Sequence, residues 1–337
     1  MKKNKLKFLI IGLGSMGKRR IRNLHINKQY RIIGYDVRYG RMREAKKMYG
    51  IETINGIKKI SKDDFDVMLI CVSPESHGDY IRMALKYKKH FFVEHPTNDD
   101  GYKEIFKDKN NLLVKAPSCT MRFYSPIKKI KEVLEKGSIG KVLAFQYHMG
   151  QYLPDWHPYE DYRKVYFAKK NTGACREMLP FELIWLNWLM QSKISEISGY
   201  INKISNLEMD ADDVATANLK YKNGVMGNLI IDVISRKPFR TLRVLGSEGV
   251  LEWENFDSVI KLYSAKSKKT RIIKIFKGRK EKGYINEEAM YNEEIKEFIE
   301  AVKGKKKYLY TFKDNLEVLK ALYALEKSYK SGRKIIL

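Results

Sequence analysis

Cysteine is scarce: Cys71, Cys119 and Cys175 are the only three in 337 residues, far apart and without a Cys-x-x-Cys pair. That excludes a disulfide framework and a zinc ribbon, and it predicts reduced structural thiols with no metal site. No apolar run approaches the roughly 20 residues a membrane helix requires. The stretch 8–13 follows a basic start, but it ends in a glycine loop and Lys18-Arg19-Arg20 without a small-residue cleavage site. It reads as part of the fold, not as an export signal, so a soluble cytoplasmic protein with no membrane partner is expected. Internal repeats and low-complexity linkers are missing as well. Acid is short relative to base, with 40 Asp and Glu against 66 Lys and Arg and a formal charge of +26. Such an excess invites a nucleic-acid reading. The lysines, however, are spread over the whole length and mixed with acids on apparent helix faces such as 293–303, so no nucleic-acid partner is expected. The milder consequence is a positive field that draws in small anionic ligands.

What is present is ample apolar material: 44% hydrophobic and 12% aromatic residues, in a chain long enough for two cores. Near its start, the apolar run Lys7-Phe8-Leu9-Ile10-Ile11 leads into Gly12-Leu13-Gly14-Ser15-Met16-Gly17, and Asp36 follows 19 residues after Gly17 at the end of a second apolar run. Strand, glycine turn, helix and distal acid form the context of a dinucleotide fingerprint. Gly12 permits the turn, Gly14 lets backbone approach a pyrophosphate, and Gly17 lets helix and strand pack closely. The backbone of Ser15 and Met16 opens the helix, whose positive end suits the phosphates. Asp36 can accept hydrogen bonds from an adenosine ribose and repels an added phosphate there, which favours NAD over NADP. Val37 and Arg38 continue that edge, and Arg38, Arg41 and Arg43 are the features that keep NADP open.

The first third alternates strands at 7–11, 31–36, 66–72, 90–94 and 112–115 with helices near 17–28, 41–49, 76–88 and 99–109. That pattern predicts an α/β fold opening with a Rossmann doubly wound parallel sheet over 1–122. Beyond a helix at 127–136, strand-like runs at 142–149, 214–221, 225–235, 241–245, 250–253, 259–263 and 271–276 are joined by turns. Two helices, near 287–303 and 314–330, end the chain. A C-terminal α+β domain over 123–337, built on a large, mainly antiparallel sheet, is therefore expected. Its free face could bind a ligand or form a homo-oligomer, a dimer or a tetramer.

In a doubly wound sheet, ligands sit beyond the carboxyl ends of the strands. Two further segments fall there. Cys71-Val72-Ser73-Pro74-Glu75-Ser76-His77 reads as a floor for ribose and nicotinamide, with Ser76 capping the next helix; alternatively it is an ordinary turn with His77 on a solvated first turn. Glu94-His95-Pro96 delivers a titratable imidazole to the sheet edge, with Pro96 holding His95 extended.

The glycine turn, the Cys-Val-Ser-Pro strand end, Glu94-His95-Pro96, Met121-Arg122-Phe123 and Gly137-Ser138-Ile139-Gly140-Lys141 together resemble the glucose-fructose oxidoreductase and inositol dehydrogenase family, also called Gfo/Idh/MocA. The resemblance implies a nicotinamide-dependent oxidoreductase acting on a hydroxyl of a sugar, cyclitol or sugar nucleotide, with Glu94 and Arg122 at the cofactor. His95 stands where that family usually has a lysine. Glu177 and Phe181 stand where it usually has an aspartate and, one helical turn later, an acid-base histidine. Glu177 falls near a helix start, where the dipole favours its ionised form and suits it to accept protons. The loop 152–163 is similar to substrate-binding insertions of members linked to cell-surface sugar synthesis. There Tyr152 and Trp156 offer rings, His157 a titratable group and Arg163 a fork for phosphate or carboxylate. Two readings follow. Either His95, Glu177 and His157 carry a redistributed proton relay, or the protein binds cofactor and sugar as a sensor or partner without turnover. Trp185, Trp188 and Leu189 are assigned to core packing.

Overall fold

The computed structural model of the chain describes residues 5–26, 30–156, 160–276, 278 and 287–337. It divides into two compact units, Met1–Thr120 with Tyr291–Leu316, and Met121–Met290 with Glu317–Leu337. The first boundary lies two residues from the expected one. What the contiguous division omits is the return of 291–316 to the first unit.

That unit holds six strands: β1 (Lys7–Ile11), β2 (Arg31–Tyr35), β3 (Glu52–Thr53), β4 (Val67–Ile70), β5 (His90–Val93) and β6 (Lys115–Pro117). Their order is β3-β2-β1-β4-β5-β6, and every pairing is parallel. Helices α1 (Ser15–His25), α2 (Tyr39–Tyr49), α3 (His77–Lys86) and α4 (Tyr102–Lys107) connect them. The continuous apolar strands are the signature of a sheet covered on both faces, and Phe8 to Ile11 and Val67 to Ile70 are all 0% exposed. The expected strand at 112–115 forms slightly later, and the short β3 carries no apolar run to announce it. Ile295, Phe298 and Ile299 pack into the core made by Phe8, Ile10, Leu69 and Phe92, which explains why 291–316 belongs here.

The second unit contains α5 (Ser125–Glu135), β7 (Val142–Tyr152), α6 (Ala174–Met190), β8 (Ile194–Asn202), β9 (Val214–Tyr221), β10 (Met226–Asp232), β11 (Ile234–Gly246), β12 (Gly249–Glu254), β13 (Val259–Ser264), β14 (Lys269–Lys274) and β15 (Ile335–Ile336). Two further helices, α7 (Glu288–Val302) and α8 (Phe312–Ser331), complete the chain. The sheet runs β14-β13-β12-β11-β7-β10-β9-β8-β15 and is antiparallel except for β7 against β10. One face is core: Phe145, Tyr147 and Met149 of β7 align with Leu229 and Ile231 and with Leu242 and Val244, all buried. On it, α6 directs Glu182 at Tyr147. The Glu182 carboxylate is 0% exposed and accepts from Tyr147 Oη (2.6 Å), Trp185 Nε1 (2.7 Å) and Arg240 Nε (3.1 Å). Trp185 and Leu189 are buried as expected, while Trp188 is half-buried beneath the cations of Arg122 and Lys131. By register the opposite face carries Tyr200, Met226, Leu245, Tyr263 and Ile272, each 40% exposed or more. Among the described residues no helix is long and apolar enough to cross a membrane.

Candidate functional site

The glycine turn after β1 is as tight as its sequence predicts. Gly12 has φ +89°, and a Cβ there would stand 2.6 Å from the Cys71 carbonyl oxygen; one on Gly17 would stand 1.9 Å from the Gly12 oxygen. Gly12 N donates to Tyr35 O at 2.8 Å, which ties the turn to β2. Helix α1 then starts from Gly14 with no capping side chain and no acidic residue in its first turn. A close-backed loop leading to an uncapped helix start is the arrangement that holds a pyrophosphate. Residues Gly12, Gly14, Ser15, Met16 and Gly17 therefore fit a dinucleotide. Asp36 is 5% exposed and braces the loop: Oδ2 accepts from Leu13 N (2.7 Å), Oδ1 from Arg38 N (2.8 Å), and Arg41 Nη1 lies 3.8 Å away. Val37 is 81% exposed at the same edge.

Cys71, Val72 and Ser73 follow β4 and are half-buried beside the turn. The solvated reading of His77 is overturned. Its ring is 2% exposed, Nε2 donates to Val72 O at 3.1 Å, and burial lowers its pKa to about 4. It is a neutral imidazole that splints the Val72 backbone. Ser76 occupies the N-cap of α3, yet its side chain makes no capping bond.

Glu94, expected at the cofactor, is buried and bound by Arg20 of α1. Burial raises its pKa, with the Arg20 charge opposing that rise. Arg20 also donates to Glu294 Oε2 at 2.7 Å, and both of these side chains are 0% exposed. Glu294 gathers Ser118 Oγ (2.9 Å), Cys119 N (2.6 Å) and Thr120 Oγ1 (2.7 Å). None of these pairings was expected from the sequence, because no local pattern links positions 20, 94 and 294. His95 follows immediately after Glu94, half-buried just beyond the end of β5.

In the second unit, α6 begins under constraint. Ala174 has φ +45°, and a Cβ on Gly173 would stand 2.0 Å from Phe167 O. The chain thus presses onto the turn Tyr166–Ala168, whose Tyr166 Oη donates to Glu177 Oε1 at 3.0 Å. Glu177 is half-buried, with Oε2 shielded from solvent, and desolvation raises its pKa to about 8. The expected ionised state is therefore corrected: near neutral pH the group is a carboxylic acid. A helix-end dipole is worth about 0.3–1 kcal/mol, under one pKa unit, and burial outweighs it. Tyr166 is the residue that sequence reading missed. Phe181, one turn after Glu177, is half-buried.

The described part of the loop expected at the substrate is held mainly by residues that follow it in the chain. Trp156 meets Phe167 edge-on at 4.8 Å and packs with Leu153 and Ala174. Tyr152 lies under Arg236, 3.9 Å from its ring centre. Arg163 is exposed, and its fork is paired with Asp161 (2.8 and 3.1 Å) and Glu208 (2.7 Å). His157 lies outside the described residues. Arg122 donates to Ile184 O at 3.1 and 3.2 Å, a bond within the second unit. Cys119 and Cys175 are buried and Cys71 is half-buried, and none of the three is in a disulfide. Burial pushes the Cys71 and Cys175 thiols well up. Among the described residues, no three His, Cys, Asp or Glu side chains gather as metal ligands.

Comparison with known proteins matches both halves of the chain. Residues 6–108 match the oxidoreductase family with an NAD-binding Rossmann fold, GFO/IDH/MocA, and residues 127–252 match the GFO/IDH/MocA C-terminal domain. The myo-inositol 2-dehydrogenase of Thermotoga maritima is 26% identical over 97% of both chains. Two solved structures share the fold across 98% of both chains at 16% identity. One is an oxidoreductase from Agrobacterium radiobacter in complex with NAD+, L-tartaric acid and magnesium, at TM-score 0.87. The other is a levoglucosan dehydrogenase in complex with NADH, at TM-score 0.84.

Proposed function

Because this chain belongs to the GFO/IDH/MocA family of NAD-binding oxidoreductases, we propose that it oxidises a secondary hydroxyl of a free cyclitol or sugar. NAD, when bound, supplies the hydride acceptor. Gly12 to Gly17 would hold its pyrophosphate, Asp36 would accept from its adenosine ribose, and Cys71, Val72 and Ser73 would line the nicotinamide end. The observation that carries the reading is this loop, in which a Cβ at Gly12 or Gly17 has no room. His95, and separately Glu177, a neutral acid that accepts from Tyr166 Oη, are each a candidate to handle the substrate proton. A free polyol is preferred over a sugar nucleotide because Asp161 and Glu208 already occupy the Arg163 fork. The myo-inositol 2-dehydrogenase relative points to the same substrate class.

Mixing NAD with myo-inositol and a panel of sugars, and following the absorbance of NADH, tests this. Oxidation requires Glu177 to accept a proton, so turnover should rise with pH through about 8; reduction of the ketone requires the acid form and should fall through the same range. Glu177→Gln should remove both limbs. Ligand-induced thermal stabilisation with no NADH formed across the panel would instead favour the sensor reading.

Self-association through the open sheet face is part of the proposal, since five large apolar side chains lie on it together. Sedimentation should show a dimer or tetramer that Tyr263→Glu weakens. A monomeric wild-type chain at micromolar concentration would remove this element.

A further inference from the structure

We infer that Arg20 is a positioning residue, which aims His95 by clamping Glu94 against the first turns of α1 and against Glu294 of α7. The inference rests on the role assigned above to His95. Arg20 lies three residues after Gly17, so one guanidinium joins the cofactor loop's own helix to the end of β5. Its other contacts hold it further: Nη2 bonds Glu294, Nη1 donates to Tyr291 O at 3.3 Å, and Cζ lies 4.9 Å from the Phe92 ring centre. Glu294 in turn fixes the end of β6 through Ser118, Cys119 and Thr120.

Two carboxylates and one guanidinium inside a unit are a poor device for stability, because the desolvation of three charges offsets their attraction. They are a good device for geometry, since an arginine fork fixes both distance and plane. What they fix is the residue before His95. Glu94 N is already bonded to Ile70 O at 2.9 Å, so backbone and side chain of Glu94 are both held. Pro96 then confines the backbone of His95 on its far side. A displacement of about 1 Å at a reacting group costs turnover up to about 10²-fold.

The chain has six histidines, few enough for their ring signals to be resolved by nuclear magnetic resonance on histidine-labelled protein. His95→Gln identifies the His95 signal by its loss. In Arg20→Lys and in Glu294→Gln, the His95 signal should move while those of His25 and His148 stay in place. With myo-inositol and NAD, Arg20→Lys should lower turnover by about 10²-fold. Added to His95→Ala it should change turnover by no more than about twofold, because it acts through that residue. An unmoved His95 signal in either folded variant overturns the proposal, and so does a full multiplicative loss in the double variant. Unfolding of both variants would mean that the cluster holds the unit together instead of aiming one residue, which also overturns it. If His95→Ala leaves turnover unchanged, the functional reading fails while the ring signal still decides the positioning.

Discussion

Gly17→Ala is expected to abolish tight NAD binding in a chain that still folds. The added methyl would stand 1.9 Å from the Gly12 oxygen, backbone against backbone, and no rotamer relieves it. Helix α1 must then move off β1, and its first-turn N–H groups move with it. Each hydrogen bond to a charged phosphate is worth about 1.5–3 kcal/mol, so each one lost weakens binding roughly ten- to a hundredfold. Overpacking costs the fold only about 1–3 kcal/mol. Gly40→Ala is the control: it lies in α2 with open space around its Cβ position and should leave NAD affinity unchanged. Calorimetric titration with NAD makes the comparison, and tight binding by Gly17→Ala would show that the loop does not hold the cofactor as described.

His95→Ala should lower turnover by about 10²- to 10⁴-fold with little change in NAD affinity, the range typical of a lost acid-base group. The two readouts separate because the imidazole lies at the end of β5 and the phosphate loop at the end of β1. Retained turnover would remove His95 from proton handling and leave Glu177 as the candidate, whose accepting form is populated as pH rises through about 8. The pH limb near 8 should persist in His95→Ala and vanish in Glu177→Gln.

The glycine loop was legible because the fingerprint is local: six consecutive residues define a turn and a helix start, and Asp36 at its fixed distance braces that turn. Both sheets were legible in kind, since continuous apolar runs and alternating runs differ in period. The segment 291–316 was not, because its amphipathic pattern says that it packs but not on which core. His77 and Glu94 looked like site residues from their place at strand ends, yet one splints Val72 and the other is bound by Arg20.

The amino-acid sequence by itself determined the fold class, the dinucleotide and the residue types available for chemistry, because these follow from short-range periodicity and backbone sterics. Only the tertiary structure decided their charge and their partners. Glu177 is an acid because burial outweighs a helix dipole. Arg163 is paired with Glu208, which reaches it from 45 residues away. Arg20 meets Glu94 and Glu294 across 74 and 274 residues. Desolvation and ion pairing sum over neighbours in space, and those neighbours exist only once the chain has folded.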